Sequence, residues 1–226
     1  MATGDGLLAA LDEGPARLSA GEVAAAQRRR MLAAMVAAVA EKGYVAVAVA
    51  DVVKRARVSR ATFYEQFTDR ADCFVAAFHA CTDQLVGTLR EGSHRGLPAR
   101  ERLHGLLAAY LDGLAAFPEG ARVCLVEVYA AGPEAVQHRR RVQGDFAGLL
   151  REMHGALAEA GDPVRPLEDF DFEALVGAIS SLATNRVAAG AAGELPGLLG
   201  QIEGFVLAHF GLDATPGAGA DRQAAS

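Results

Sequence analysis

Only three cysteines, Cys73, Cys81 and Cys124, occur in the 226 residues. An odd number with no CxxC pair offers no disulfide framework, and a reducing, cytoplasmic setting is the expectation. No uninterrupted apolar run of about 20 residues is present to span a bilayer. The opening MATGDGLLAALDEG lacks the basic start and long apolar stretch of a secretory signal, so a soluble intracellular protein with no membrane partner is expected. Catalytic signatures are missing as well: there is no GxxxxGK[ST] loop, no HExxH, no GxSxG and no His/Cys set at zinc spacing. His79 and Cys81 are two apart on a helical stretch and point in different directions. Enzymatic activity, a cofactor and a bound metal therefore have no positive support.

What is present is apolar substance and a divided charge. Half of the chain is apolar (51%), enough to bury a sizeable core in one domain or two small ones. The net charge of -6 argues against a nucleic-acid partner until it is resolved along the chain. Between Ser19 and Arg70 stand nine Lys or Arg against five acids, while the remainder is acidic. A basic segment on an acidic body is the layout of a DNA-binding module carried by a second domain.

The segment VADVVKRARVSRATFYEQF, Val49 to Phe67, says most about function. Val49, Val52 and Val53 share one face of a short helix. Ala56, Arg57 and Val58 supply a tight break, and Ser59 is placed to cap a second helix by accepting the amide of Thr62. On that helix Phe63 and Phe67 form an apolar side, with Arg60, Ala61 and Tyr64 on another. Two short helices joined by such a turn make a helix-turn-helix, whose second helix enters the major groove. Arg60 is the candidate base reader, since a guanidinium binds guanine O6 and N7 together, with a phosphate contact as the alternative. Ala61 suits a thymine methyl or clears the groove wall, and Thr62 and Tyr64 offer hydroxyls to phosphate.

EKGY (Glu41 to Tyr44), VADVV (Val49 to Val53), RVSRATFYEQF (Arg57 to Phe67) and DRADCF (Asp69 to Phe74), in this order and spacing, resemble the DNA-binding domain of TetR-type transcriptional regulators. The likeness covers roughly the first third of the chain. It implies an all-α protein: an N-terminal three-helix DNA-binding domain, residues 19–68, and a helical ligand-binding and dimerisation domain, residues 69–212. It further implies that Ser59 and Tyr64 meet the DNA backbone and that Arg70 stands at a phosphate-contacting position. Two positions depart from the pattern. Ala48 replaces the usual threonine and cannot cap, and Arg57 replaces a glycine, costing about 1 kcal/mol if the position needs positive φ. A phosphate contact by the Arg57 guanidinium would offset part of that.

Taken in order, residues 1–18 read as a loose arm. Ser19 and Glu22 form an S-x-x-E capping box for a helix from about Ala20 to Lys42, packed through Met31, Met35, Val36 and Val39 and closed by Gly43. Arg28, Arg29 and Arg30 at its beginning either touch phosphate or are simply solvated. Asp69 caps a helix from Arg70 to about Glu91 with Phe74, Phe78, Cys81, Leu85 and Leu89 along one face. Further helices are predicted near Pro98 to Phe117, Pro118 to Ala131, Pro133 to Ala160, Asp171 to Gly190 and Leu195 to Phe210, separated by Gly and Pro. Residues 213–226 read as a disordered tail.

One recognition helix reads too little sequence, so a symmetric pair on a palindromic operator is expected. The resemblance places the dimer interface on the last two helices. Leu175, Ala178, Ile179 and Leu182 recur at helical spacing on the first, and Leu198, Ile202, Phe205 and Val206 supply bulk on the second. It also implies an apolar pocket among the middle helices, where Tyr110, Glu127 and Asn185 interrupt apolar runs and Cys81, Phe117, Tyr129 and Phe146 are further lining candidates. Glu127, too costly to bury alone, must be exposed, paired with an arginine such as Arg186, or turned to a ligand. The resulting expectation is a homodimeric repressor released from DNA by a small apolar or amphipathic ligand. The competing readings are a cysteine-based redox sensor and a helical small-molecule-binding protein without operator specificity.

Overall fold

The computed structural model describes residues 19–93 and 96–212, so the expected arm and tail lie outside the described residues. Among these, nine α-helices and no strand are present. No helix among them is long and apolar enough to cross a membrane.

Local chemistry sets the first boundaries. Helix α1 runs Ala20–Lys42. The Ser19 hydroxyl accepts the Glu22 amide at 3.2 Å while the Glu22 carboxylate takes the Ser19 amide at 2.7 Å, so two orphan donors are satisfied together. Gly43 closes the helix at φ 77°, and a 3-10 turn, Tyr44–Ala46, leads to α2, Val49–Ala56. Ala48 makes no cap, but the Asp51 carboxylate reaches back to its amide at 2.7 Å and holds Lys42 at 2.7 Å. Arg57 then turns the chain with φ 55° and ψ 51°, a left-handed conformation. Helix α3, Arg60–Gln66, opens on the Ser59 hydroxyl, which accepts the Thr62 amide at 2.9 Å. Helix α4, Arg70–Gly92, is capped by Asp69.

The later helices keep their expected order with shifted ends. They are α5 (Ala99–Ala116), α6 (Pro118–Leu125), α7 (Pro133–Glu159), α8 (Asp169–Ala188) and α9 (Leu199–Phe210). Two expectations are corrected. The single helix Pro118 to Ala131 is broken at Val126 and continues as a 3-10 turn, Glu127–Ala130. The helix expected from Leu195 begins earlier, as a 3-10 stretch over Ala192–Leu198 that contains Pro196, and becomes α-helical only at Leu199.

Two cores result. The first packs Met31, Met35, Val39, Val52, Phe63 and Phe67 against Phe74 and Phe78 of α4 and against Val123 and Val128. It therefore crosses the expected division at residue 68. The second gathers Leu103, Leu107, Leu150, Met153, Leu175 and Phe210, with their neighbours on α5 to α9. Helix α4 feeds both, since Leu89 is buried in the second. Near its end α4 touches α5 backbone to backbone: a Cβ on Gly105 would lie 2.1 Å from the Gly92 carbonyl oxygen, and one on Gly92 2.5 Å from that of Gly105.

Two opposite outcomes are expected from denaturant titration of the free protein. Gly105→Ala forces the helices apart and lowers stability by about 1–3 kcal/mol. Arg57→Gly relieves the left-handed side chain and raises stability by up to about 1 kcal/mol.

Candidate functional site

The α2–α3 unit presents one polar face. Phe63 is fully buried and Phe67 nearly so, which anchors α3 and turns Arg60, Ala61 and Tyr64 outward. Tyr64 is 56% exposed, its ring held edge-on to Phe63 at 5.4 Å. Thr62 is half-buried and its hydroxyl lies 2.9 Å from that of Ser59. Arg57, Arg60 and Lys54 are exposed and form no ion pair among the described residues. Arg55 is taken up by Glu41. Of the expected readers, Arg57, Ser59, Arg60, Ala61 and Tyr64 are exposed and Thr62 is half-buried.

Two arginines serve inside the protein. Arg70 is half-buried; its Nη1 donates to the carbonyl of Val47 at 2.7 Å and to those of Tyr44 and Val45 at 3.3 Å, and its guanidinium lies 4.4 Å over the Tyr44 ring. That geometry clamps the turn before α2 and leaves Arg70 apart from the outward face of α3. Arg28 donates to the Gln66 carbonyl at 3.1 Å and covers the Phe67 ring at 4.4 Å. A cation at the last carbonyls complements the negative end of α3. The sequence offered a phosphate contact or simple solvation for Arg28 with Arg29 and Arg30, and neither anticipates this contact.

The second feature is a cavity of about 860 Å³ between α4 and α7, floored by α5, α6 and α8. Its walls carry Leu85, Leu89, Leu114, Leu125 and Leu149. Of the expected lining residues, Tyr110 and Phe146 lie on it, their rings 5.0 Å apart. Phe117, Tyr129 and Asn185 lie outside the lining and are exposed. Glu127 is buried and also outside it. Its carboxylate is held by Arg122, not Arg186, at 3.0 Å, and accepts the Tyr44 amide at 3.0 Å. The cost of burying the charge is offset by that pair, and the carboxylate spans from the body to the turn that leads into α2.

The thiols separate by environment. Cys73 is completely buried, and burial pushes its thiol up to about 12, far from a reactive thiolate. Cys81 and Cys124 hydrogen-bond to each other between α4 and α6, which lowers Cys81 and, together with burial, raises Cys124 well above the usual thiol value. Only Cys124 of this pair lines the cavity.

The expected dimer surface divides in two. Leu175, Ile179, Ile202 and Val206 are buried in the second core. Leu182 and Phe205 face outward, each 48% exposed, while Ala178 and Leu198 are half-buried. Of the expected set, Leu182 and Phe205 are the large side chains left exposed.

A family profile described as "Bacterial regulatory proteins, tetR family" matches residues 31–77. A relative from Mycolicibacterium smegmatis, the HTH-type transcriptional activator FasR, is 24% identical over 108 residues, which are 48% of this chain and 49% of that protein. The alignment thus spans about half the length of that curated relative. The fold is that of the fatty acid degradation regulator FadR from Bacillus halodurans, with TM-score 0.72 and 22% identity over 80% of this chain and 94% of that one. FadR from Bacillus subtilis, solved in complex with stearoyl-CoA, gives TM-score 0.71 and 20% identity over 80% of this chain and 98% of that one.

Binding to cognate and scrambled duplexes will separate the two kinds of DNA contact. Tyr64→Phe weakens both alike. Arg60→Ala removes about 1–3 kcal/mol of discrimination at one base step; equal losses on both duplexes would take Arg60 out of the base-reading set.

Proposed function

We propose that this chain, a member of the TetR family of bacterial regulatory proteins, is a cytoplasmic, homodimeric repressor that leaves a palindromic operator when an amphipathic ligand with a long apolar chain enters its cavity. Residues 19–68 form the reading head and residues 69–212 the sensing and pairing body. No chemistry on the ligand is needed.

One observation carries this reading: α4 belongs to both ends. Its first turns pack Phe74 and Phe78 into the core beneath α3, and its later turns present Leu85, Leu89 and Arg90 to the cavity. A ligand that fits the cavity better in one tilt of α4 biases the position of the reading helix by the difference in its affinity for the two states. The apolar walls favour an acyl chain, and regulators with this fold include one solved with stearoyl-CoA. Leu182 and Phe205 form the centre of the pairing surface, setting two reading helices about 34–36 Å or a multiple apart. Exposed Lys54, Arg57 and Arg60 supply phosphate and base contacts, so binding should weaken steeply with salt.

Gly148 lines the cavity and a Cβ there meets nothing within 4 Å. Gly148→Leu adds volume without strain. In a gel-shift assay on DNA selected by the protein, this variant is expected to retain duplex affinity while release by long-chain acyl compounds falls at least tenfold. Unchanged release would disconnect the cavity from DNA control.

A further inference from the structure

The cavity's polar lining residues are spread along its helices: Thr82 and Arg90 on α4, Tyr110 and Arg102 on α5, Arg139 and Glu152 on α7. From Arg139 to Glu152, α7 rises roughly 20 Å, the reach of a long acyl chain. Arg139 is 93% buried, its relative exposure being 7%, and it lines the cavity. A guanidinium stays charged in any protein environment, and a buried charge is ordinarily met by an opposite one. Arg139 is not. Its Nε donates to the Tyr129 hydroxyl at 3.0 Å and its Nη1 to the Cys124 carbonyl at 2.8 Å. The Tyr129 ring lies 5.3 Å away. These partners are neutral, and no carboxylate of a described residue pairs with it. The other buried charge, Glu127, has its arginine.

The surroundings suit an anion. Burial pushes the Tyr110 phenol up to about 12, so it stays protonated. Ser180 and the Arg139 charge are both near enough to act on it. A neutral phenol, a serine hydroxyl and an uncompensated guanidinium together supply donors for the two oxygens of a carboxylate.

We infer that the Arg139 end of the cavity is a carboxylate subsite, and that the ligand is a free long-chain carboxylic acid bound head inward, with its chain along Leu85, Leu114 and Phe146 toward Arg90 and Arg102. The inference rests on the proposed reading that the cavity takes an acyl chain, and it adds which end the head occupies. A CoA thioester has no carboxylate to place there, and its bulk would have to remain at the opposite mouth. Acid and thioester are therefore distinguishable.

The test is direct titration of the full chain with dodecanoate, dodecanol and dodecanoyl-CoA. Charge-assisted hydrogen bonds predict that dodecanoate binds roughly 10- to 100-fold tighter than dodecanol. Arg139→Gln should bring acid and alcohol to within about threefold of each other while alcohol binding is retained. Because Arg139 also ties α7 to α6, Tyr110→Phe provides a variant that leaves those ties intact; it should weaken dodecanoate several-fold more than dodecanol. Equal binding of acid and alcohol by the unaltered chain overturns the subsite and leaves the acyl cavity standing, as does discrimination that survives in Arg139→Gln. Tighter binding of dodecanoyl-CoA than of dodecanoate overturns it too, by placing the head at the mouth. If none of the three binds, the acyl-chain reading falls together with the subsite.

Discussion

Packing of one helix into two cores is the constraint on which the rest of the molecule depends. A 23-residue α4 is stiff because each interior peptide is hydrogen-bonded within it. Phe74 and Phe78 are essentially inaccessible in one core while Leu89 is inaccessible in the other. Neither core can rearrange around α4 without the other feeling the change, since close-packed interiors transmit displacement instead of absorbing it. The α2–α3 unit and the cavity are joined by this shared element.

A second, polar connection runs beside it. The turn from Gly43 to Val47 is held from the body by Glu127, which takes the Tyr44 amide, and from α4 by Arg70, which takes three carbonyls of the same turn. Tyr44 lies between them, its ring edge-on to Phe74 at 4.8 Å. The turn leading into α2 is therefore referenced to the body and to α4 at once. Such contacts give the head a definite orientation that apolar packing alone, being non-directional, would not.

What was readable in the sequence follows the range of the interactions. Capping is local: Ser19 with Glu22, and Ser59 with Thr62, are three residues apart, so those helix starts could be read off directly, whereas the left-handed Arg57 was raised only by the glycine usual at that place in the resembled family. The tasks of Arg28 and Arg70 and the reach of Glu127 to Tyr44 depend on partners 38, 23 to 26 and 83 residues away, although the arginine that holds the Glu127 charge, Arg122, is near in sequence. Periodicity on α8 and α9 revealed a stripe without saying what it packs against. Leu175, Ile179, Ile202 and Val206 turned out to serve the chain's own core. Arg139 was hidden in the run HRRR, which reads as a solvated patch. Its signal was spacing: Ala135, Arg139 and Phe146 fall on one helical face, and all three are buried.

The contact of Gly92 with Gly105 has a mechanical consequence. With each backbone seated against the other's carbonyl, the far end of α4 lies closer to α5 than side chains would allow, so a tilt of α4 would turn about that crossing. Motion imposed by a guest is then a swing whose amplitude grows along the lever arm. Over the roughly 33 Å from there to Arg70, about 5° of tilt displaces the head by about 3 Å. The gearing resides in a pair of residues that have no side chains.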